Sequence, residues 1–186
     1  MKSLTSRLYL SNQTVFTTQE IALFWQESHA DNLKSKINYY CTSGVLKRLR
    51  RGLYALAEKP YDRHEVANRI FIPSYISLET VLAAEGLIFQ YDTTIYSISY
   101  QTRQVTIDNQ TYNYRRVASD ILTNPMGLIH NGATTIASKE RAFLDLLYLS
   151  GAPHIDRTNG LDWNICRNLL PMYHNTALNK RFAQYA

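Results

Sequence analysis

The cationic side chains of this chain are concentrated in its first third, and this asymmetry constrains the fold more than any other feature. Residues 1–60 contain nine Lys and Arg residues against four Asp and Glu residues, whereas residues 61–186 contain eleven of each kind. Between Asn32 and Ala57 there are six cationic residues and no acidic one. Charge of one sign confined to one segment is typical of a domain that faces an anion. We therefore predict two domains, a cationic one over residues 1–60 and a neutral one over residues 61–186.

Apolar spacing within the cationic segment predicts a short strand, two helices and a hairpin. Residues 13–16 favour an extended conformation, and one of the two threonines that follow is predicted to cap the first helix. Asp31 is predicted to cap the second helix, which Gly44 would end. The apolar residues of that second helix recur at helical spacing: Leu33, Ile37, Tyr40 and Cys41. Winged helix-turn-helix DNA-binding domains have this order of elements.

The opposite face of the second helix carries short polar side chains and a tyrosine. A rotation of about 100° per residue places Ser35, Asn38 and Tyr39 on this face, with Lys34 and Lys36 at its two margins. Short polar side chains reach base edges in the major groove, and flanking cations reach phosphates. We therefore expect this helix to read double-stranded DNA.

The predicted hairpin adds further cations. Its connection is expected to be three residues long, Arg50-Arg51-Gly52, with glycine where a positive φ is needed. Lys47 and Arg48 precede it and would also project towards a phosphate backbone or a minor groove. If about four to six cations neutralise phosphates, log K should fall with log salt at a slope of roughly −4 to −5. The predicted DNA contacts are Lys34, Ser35, Lys36, Asn38, Tyr39, Lys47, Arg48, Arg50 and Arg51.

Residues 61–186 alternate between helical and strand periods, which predicts a mixed α+β domain. Alternating apolar residues between positions 95 and 114 predict an antiparallel meander of about three strands. Helical patterns precede and follow this meander. With the first domain included, the predicted fold class of the chain is α+β.

Several polar residues of the second domain have spacings that explain them structurally. Asp62 and Glu65 have capping-box spacing, and Ser77 is predicted to cap the next helix. Arg141 and Asp145 are four residues apart on a later helix, and we expect them to pair on its outer side. These residues are therefore predicted to support helices rather than to form a site.

No set of residues has the spacing of a catalytic or metal site. Residues 64–68, HEVAN, begin like the zinc-protease motif HExxH, but Asn68 stands where the second ligand is required. Phosphate-binding glycine loops and nucleophile elbows do not occur. Glu140 and Asp145 would point about 140° apart on one helix, so they would not converge on one ion. We therefore expect no enzyme activity, no metal and no cofactor.

The remaining sequence signals concern redox state and location. Cys41 and Cys166 lack the paired spacing of a zinc ribbon, and each lies among apolar residues, so both are expected to be buried thiols. The amino terminus has no continuous apolar region of a signal peptide, and no apolar run approaches a membrane span. The expectation is a cytoplasmic protein without a membrane partner.

Three segments together resemble the AbiEi-like antitoxins of bacterial toxin–antitoxin and phage-defence operons. They are residues 51–54 (RGLY), residues 74–79 (SYISLE) and residues 137–146 (ASKERAFLDL), in an order that extends from about Val15 to Leu149. The resemblance implies a winged helix that binds inverted repeats in its own promoter and represses the operon. It also implies a second domain that antagonises a nucleotidyltransferase-like toxin, directly or indirectly. The tail after Gly151 carries no motif of this family.

Two alternatives stay open at the level of sequence. A stand-alone winged-helix regulator would use its second domain to sense a ligand or to dimerise. A nucleic-acid-processing enzyme would use the winged helix to deliver its catalytic domain. A neighbouring nucleotidyltransferase-like reading frame favours the antitoxin over the regulator, and metal-dependent cleavage of nucleic acid would favour the enzyme.

Overall fold

The computed structural model describes residues 4–89, 93–151 and 153–185, which form a mixture of helices and strands. The chain divides into two compact units, Met1–Ile70 and Phe71–Ala186. The α+β prediction is therefore confirmed. The first unit extends to Ile70, whereas the charge distribution places the boundary at residue 60.

Helices of the first unit surround a small antiparallel sheet. Its strand order is β1-β3-β2, and every residue of the central strand β3 is buried. The elements are α1 (Leu4–Tyr9), β1 (Val15–Thr17), α2 (Thr18–Trp25), α3 (Ala30–Thr42), β2 (Leu46–Arg50), β3 (Leu53–Leu56) and α4 (Arg63–Ile70). The buried core consists of Leu8, Phe16, Ile21, Trp25, Leu33, Ile37, Leu46, Tyr54 and Leu56. Because α3 buries only one face, its opposite face with Ser35, Asn38 and Tyr39 is exposed to solvent.

Local signals set the beginning of α2 but not that of α3. The Thr17 hydroxyl accepts from the Glu20 amide at 3.2 Å, and the Glu20 carboxylate accepts from the Thr17 amide at 2.8 Å. This capping box confirms the predicted threonine cap. Helix α3 begins at Ala30 after His29, so the prediction that Asp31 caps it is wrong. Asp31 lies inside the first turn, where a carboxylate is favoured by the helix dipole.

Helix α4 belongs to the first unit because its polar side chains bond to β1 and α2. The buried Glu65 carboxylate accepts from the Thr14 amide at 2.8 Å and from the Thr14 hydroxyl at 2.6 Å. Arg69 donates to Glu65 at 3.1 Å and to Glu20 at 2.6 Å. The predicted pairing of Asp62 with Glu65 is absent from the described contacts, and the Asp62 amide donates to the Thr14 hydroxyl instead. These bonds join α4 to residues about 50 positions earlier, which no local pattern reveals.

The second unit is built on a six-stranded sheet of strand order β6-β7-β5-β4-β9-β8. Its strands are β4 (Ser74–Ile76), β5 (Ile95–Ser99), β6 (Arg103–Ile107), β7 (Gln110–Arg116), β8 (Leu128–Asn131) and β9 (Thr134–Ala137). Its helices are α5 (Leu78–Ala84), α6 (Ser119–Thr123), α7 (Lys139–Leu149), α8 (Trp163–Leu169), a 3-10 turn (Leu170–Tyr173) and α9 (Thr176–Phe182). Helix α7 is buried along most of its length and forms the centre of the helical layer.

The predicted antiparallel meander is wrong in its pairing. Strands β6 and β7 do form an antiparallel hairpin, but β5 pairs with β7 in parallel and with β4 antiparallel. The exposed strand β6 therefore lies at the sheet edge, and β7, with buried Tyr112 and Tyr114, lies between β6 and β5. Alternating polarity predicts the strands, but it does not determine which strands are neighbours in the sheet.

Arg141 and Asp145 pair as predicted, but inside the second unit rather than on the outer side of α7. Both side chains are 0% exposed, and Arg141 Nε lies 3.5 Å from Asp145 Oδ1. Asp145 also accepts from the Ser77 hydroxyl at 2.8 Å and from the Tyr173 hydroxyl at 2.7 Å. Ser77 precedes α5 at its N-cap position without a side-chain capping bond, because its hydroxyl is directed to Asp145. Solvent therefore does not reach the carboxylate of this network.

Candidate nucleic-acid interface

The outward face of α3 consists of exposed polar residues and one large aromatic ring. Leu33 and Ile37 point into the core, which leaves Ser35, Asn38 and Tyr39 exposed to solvent. Tyr39 is 67% exposed, a high value for a ring of this size. The predicted base-reading residues therefore share one accessible helix face.

The two lysines at the margins of α3 differ in their partners. Lys34 is exposed, and it makes no ion pair within the described part of the chain. Lys36 is half-buried, and its ammonium lies 2.5 Å from the carboxylate of Glu27. The hydrogen bond from Lys36 lowers the pKa of Glu27, which keeps that carboxylate charged. Lys36 is thus neutralised within the chain, whereas Lys34 is available to an anion.

The β2–β3 hairpin presents three of its four predicted cations to solvent. Gly52 has φ +81°, as predicted, but Arg50 pairs with Leu53, so the connection is two residues long rather than three. The extra residue is absorbed by a bulge between Arg48 and Arg50. Lys47, Arg48 and Arg51 are exposed, and Arg50 is half-buried with contacts inside the chain.

A groove of about 680 Å³ separates α3 from the hairpin. Lys34 lines it from α3, and Arg48 and Arg51 line it from the hairpin. Its other lining residues are Thr18, Ala30, Leu33, Ile37, Gly52 and Tyr54, so no described lining residue is acidic. Three cations around one recess create a positive potential that attracts an anion.

Two contacts fix the hairpin relative to the helices of the first unit. The Thr18 amide at the start of α2 donates to the carbonyl of Gly52 at 3.1 Å. Arg48 Nη2 donates to Asn38 Oδ1 at 3.5 Å, and the Arg48 guanidinium lies 5.7 Å from the Tyr54 ring centroid. The hairpin cations and the exposed face of α3 are therefore held on one continuous surface.

The sequence analysis did not identify the residues that contact these cations inside the chain. Glu27 neutralises Lys36 from nine positions earlier, across the end of α2, where helical spacing does not apply. The ring of Tyr54 lies beside the Arg48 guanidinium, a contact that the sequence analysis did not predict. The predicted hairpin did contain a signal for Tyr54, since a three-residue connection at Arg50-Arg51-Gly52 places Tyr54 opposite Arg48, as the strand pairing does.

Glu140 and Asp145, the two acids considered as ligands of one ion, have different partners in the structure. No group of three or more His, Cys, Asp or Glu side chains in the described residues is placed to hold a metal ion. Glu140 accepts from the Asp162 amide at 3.3 Å, whereas Asp145 belongs to the buried network with Arg141. Within the same part of the chain, no helix has the length and apolar character needed to cross a membrane.

Comparison with protein-family models gives no match, and comparison with curated proteins gives none either.

Proposed function

We propose that the chain is a DNA-binding antitoxin that represses its own operon. In this proposal the first unit is a winged helix-turn-helix domain, with α3 in the major groove and the β2–β3 hairpin as the wing. The second unit neutralises a nucleotidyltransferase-like toxin encoded beside it. Neither activity needs a catalytic residue, a metal or a cofactor in this chain.

The cationic groove between α3 and the hairpin is the observation that carries the DNA-binding proposal. Exposed Lys34, Arg48 and Arg51 surround it without an acidic neighbour in its described lining. Beside it lies a helix face of short polar side chains, the kind that reads base edges. A DNA duplex can contact the groove and the exposed face of α3 at once, because phosphates and base edges lie within one helical turn of DNA.

The resemblance to AbiEi-like antitoxins carries the antitoxin part of the proposal. Its motif residues have structural roles here: Gly52 forms the hairpin turn, and Ser77 and Arg141 both contact Asp145 in the buried network. Because these residues stabilise the fold, they support a similarity in fold to the AbiEi-like antitoxins. The proposal of a toxin partner therefore rests on the resemblance, and a separate experiment tests it.

DNA binding is tested by titrating a labelled duplex from the promoter of the operon with the full chain. We expect specific binding that survives an excess of unrelated duplex. The variant Asn38→Ala should lose the preference for the promoter, because a base contact is removed, while it retains non-specific binding. Equal affinity of the full chain for promoter and unrelated DNA would contradict the repressor proposal.

Toxin neutralisation is tested by expressing the adjacent reading frame alone and together with the full chain. We expect growth arrest by the frame and rescue by the chain. A Lys34→Ala/Arg51→Ala variant, which lacks two groove cations, should rescue equally well if neutralisation belongs to the second unit. A harmless frame, or a toxic frame that the chain does not counteract, would contradict the antitoxin proposal and leave a DNA-binding regulator.

A further inference from the structure

We propose that the exposed face of α3 selects thymine, with the ring of Tyr39 against the 5-methyl group of the base. This inference rests on the proposed DNA binding and specifies what the helix reads. It assigns to Tyr39 an apolar contact instead of the hydrogen bonding that its polar neighbours would supply.

Tyr39 presents the one large ring on an otherwise short and polar surface. Ser35 and Asn38 on the same face are also exposed, but they offer hydroxyl and amide groups. The ring of Tyr39 is 67% exposed, so most of its apolar area meets water in the free protein. Contact with an apolar group of a ligand would remove part of this area from water, which is favourable.

The ring of Tyr39 packs against that of Tyr40, which in turn packs against Trp25. The ring centroids of Tyr39 and Tyr40 are 5.4 Å apart at an interplanar angle of 74°, and those of Tyr40 and Trp25 are 5.2 Å apart. Trp25 is only 4% exposed and belongs to the core of the first unit. Edge-to-face packing of this kind stabilises one ring orientation, so less side-chain freedom is lost on binding.

Thymine is the base that offers a matching surface. In the major groove each base pair presents hydrogen-bond donors and acceptors, and thymine alone adds an apolar 5-methyl group. A tyrosine ring that enters the groove from α3 would therefore gain most at a thymine. A ring against a cytosine or adenine amino group would instead cover a donor without bonding to it.

The test uses deoxyuridine, which differs from thymidine only by the missing methyl group. Duplexes that bind the full chain are selected from a randomised library, and each thymidine of the tightest duplex is then replaced singly. We expect at least one position where the replacement weakens binding about fourfold, the effect of one buried methyl group. At that position Tyr39→Ala should bind the two duplexes equally, and Tyr39→Phe should retain the discrimination.

A matched variant controls for general loss of exposed apolar surface. Leu23 is 77% exposed on α2, and Leu23→Ala should retain the fourfold discrimination. If the chain binds the selected duplex but no thymidine position is sensitive, the thymine contact is refuted while DNA binding stands. If sensitivity persists in Tyr39→Ala, another residue makes the methyl contact and the inference is likewise refuted. If no duplex is selected at all, the proposed DNA binding itself fails.

Discussion

For the DNA binding proposed above, the number of counterions released is the property that the structure predicts most sharply. Four of the predicted phosphate contacts are exposed: Lys34, Lys47, Arg48 and Arg51. Each cation that neutralises a phosphate contributes about −0.9 to the slope of log K against log salt, so four predict a slope of about −3.6. The sequence alone predicts roughly −4 to −5, because it also counts Lys36 and Arg50.

Removing the two groove cations without described partners should halve this dependence. The double variant Lys34→Ala/Arg51→Ala is expected to have a slope of about −1.8. Between 50 and 200 mM salt, the affinity of the unmodified chain should therefore fall about 150-fold, and that of the variant about 12-fold. Both side chains are exposed and make no ion pair in the described structure, so the variant should fold normally.

Fluorescence anisotropy with a labelled duplex at five salt concentrations measures both slopes. The control variant, Arg103→Ala/Arg116→Ala, removes two exposed arginines from the second unit and should leave the slope unchanged. Circular dichroism and thermal unfolding confirm that each variant is folded. An unchanged slope in Lys34→Ala/Arg51→Ala would refute the groove as a phosphate-binding surface, whatever the absolute affinity.

Three further predictions concern charges and a thiol that the structure places inside the chain. Glu27→Gln releases Lys36 and should steepen the salt slope by about 0.9; an unchanged slope would show that Lys36 does not reach a phosphate. Asp145→Asn leaves a buried arginine without its counter-ion and should cost about 3–5 kcal/mol in urea unfolding, whereas exposed Asp120→Asn should cost less than about 1 kcal/mol. Burial raises the pKa of Cys166 to about 12, so iodoacetamide at pH 8 should label this thiol only after unfolding, and rapid labelling of the folded chain would contradict its burial.

The parts of the fold that were predictable from sequence are those encoded within a few residues. The Thr17 cap with Glu20, the positive φ at Gly52 and the apolar face of α3 all follow from local rules of backbone geometry. The cap of α3 was mispredicted because the helix begins at Ala30, two residues earlier than a cap at Asp31 requires, and without a side-chain cap. Local rules predict which element forms, but they predict the residues at which it begins and ends less accurately.

The errors in the second unit share a different cause, since they concern partners distant in sequence. Spacing predicted that Arg141 and Asp145 pair, but the burial of that pair depends on Ser77, whose hydroxyl lies 68 positions from Asp145. The parallel pairing of β5 with β7 likewise depends on how a whole sheet buries Tyr112 and Tyr114. The residue pattern along the chain predicts neither the burial of the Arg141–Asp145 pair nor the parallel pairing of β5 with β7.

The candidate interface shows the same division between local and distant determinants. Helical spacing places Ser35, Asn38 and Tyr39 on one exposed face, because that face is set by the periodicity of α3 alone. Whether a cation beside that face is available to DNA depends instead on the acids that the fold brings to it, as Glu27 is brought to Lys36. A lysine already paired inside the chain must lose that partner before it neutralises a phosphate, so its charge adds less to binding. Counting cations therefore gives an upper bound on counterion release, and omitting Lys36, which Glu27 pairs, and half-buried Arg50 gives the value to measure.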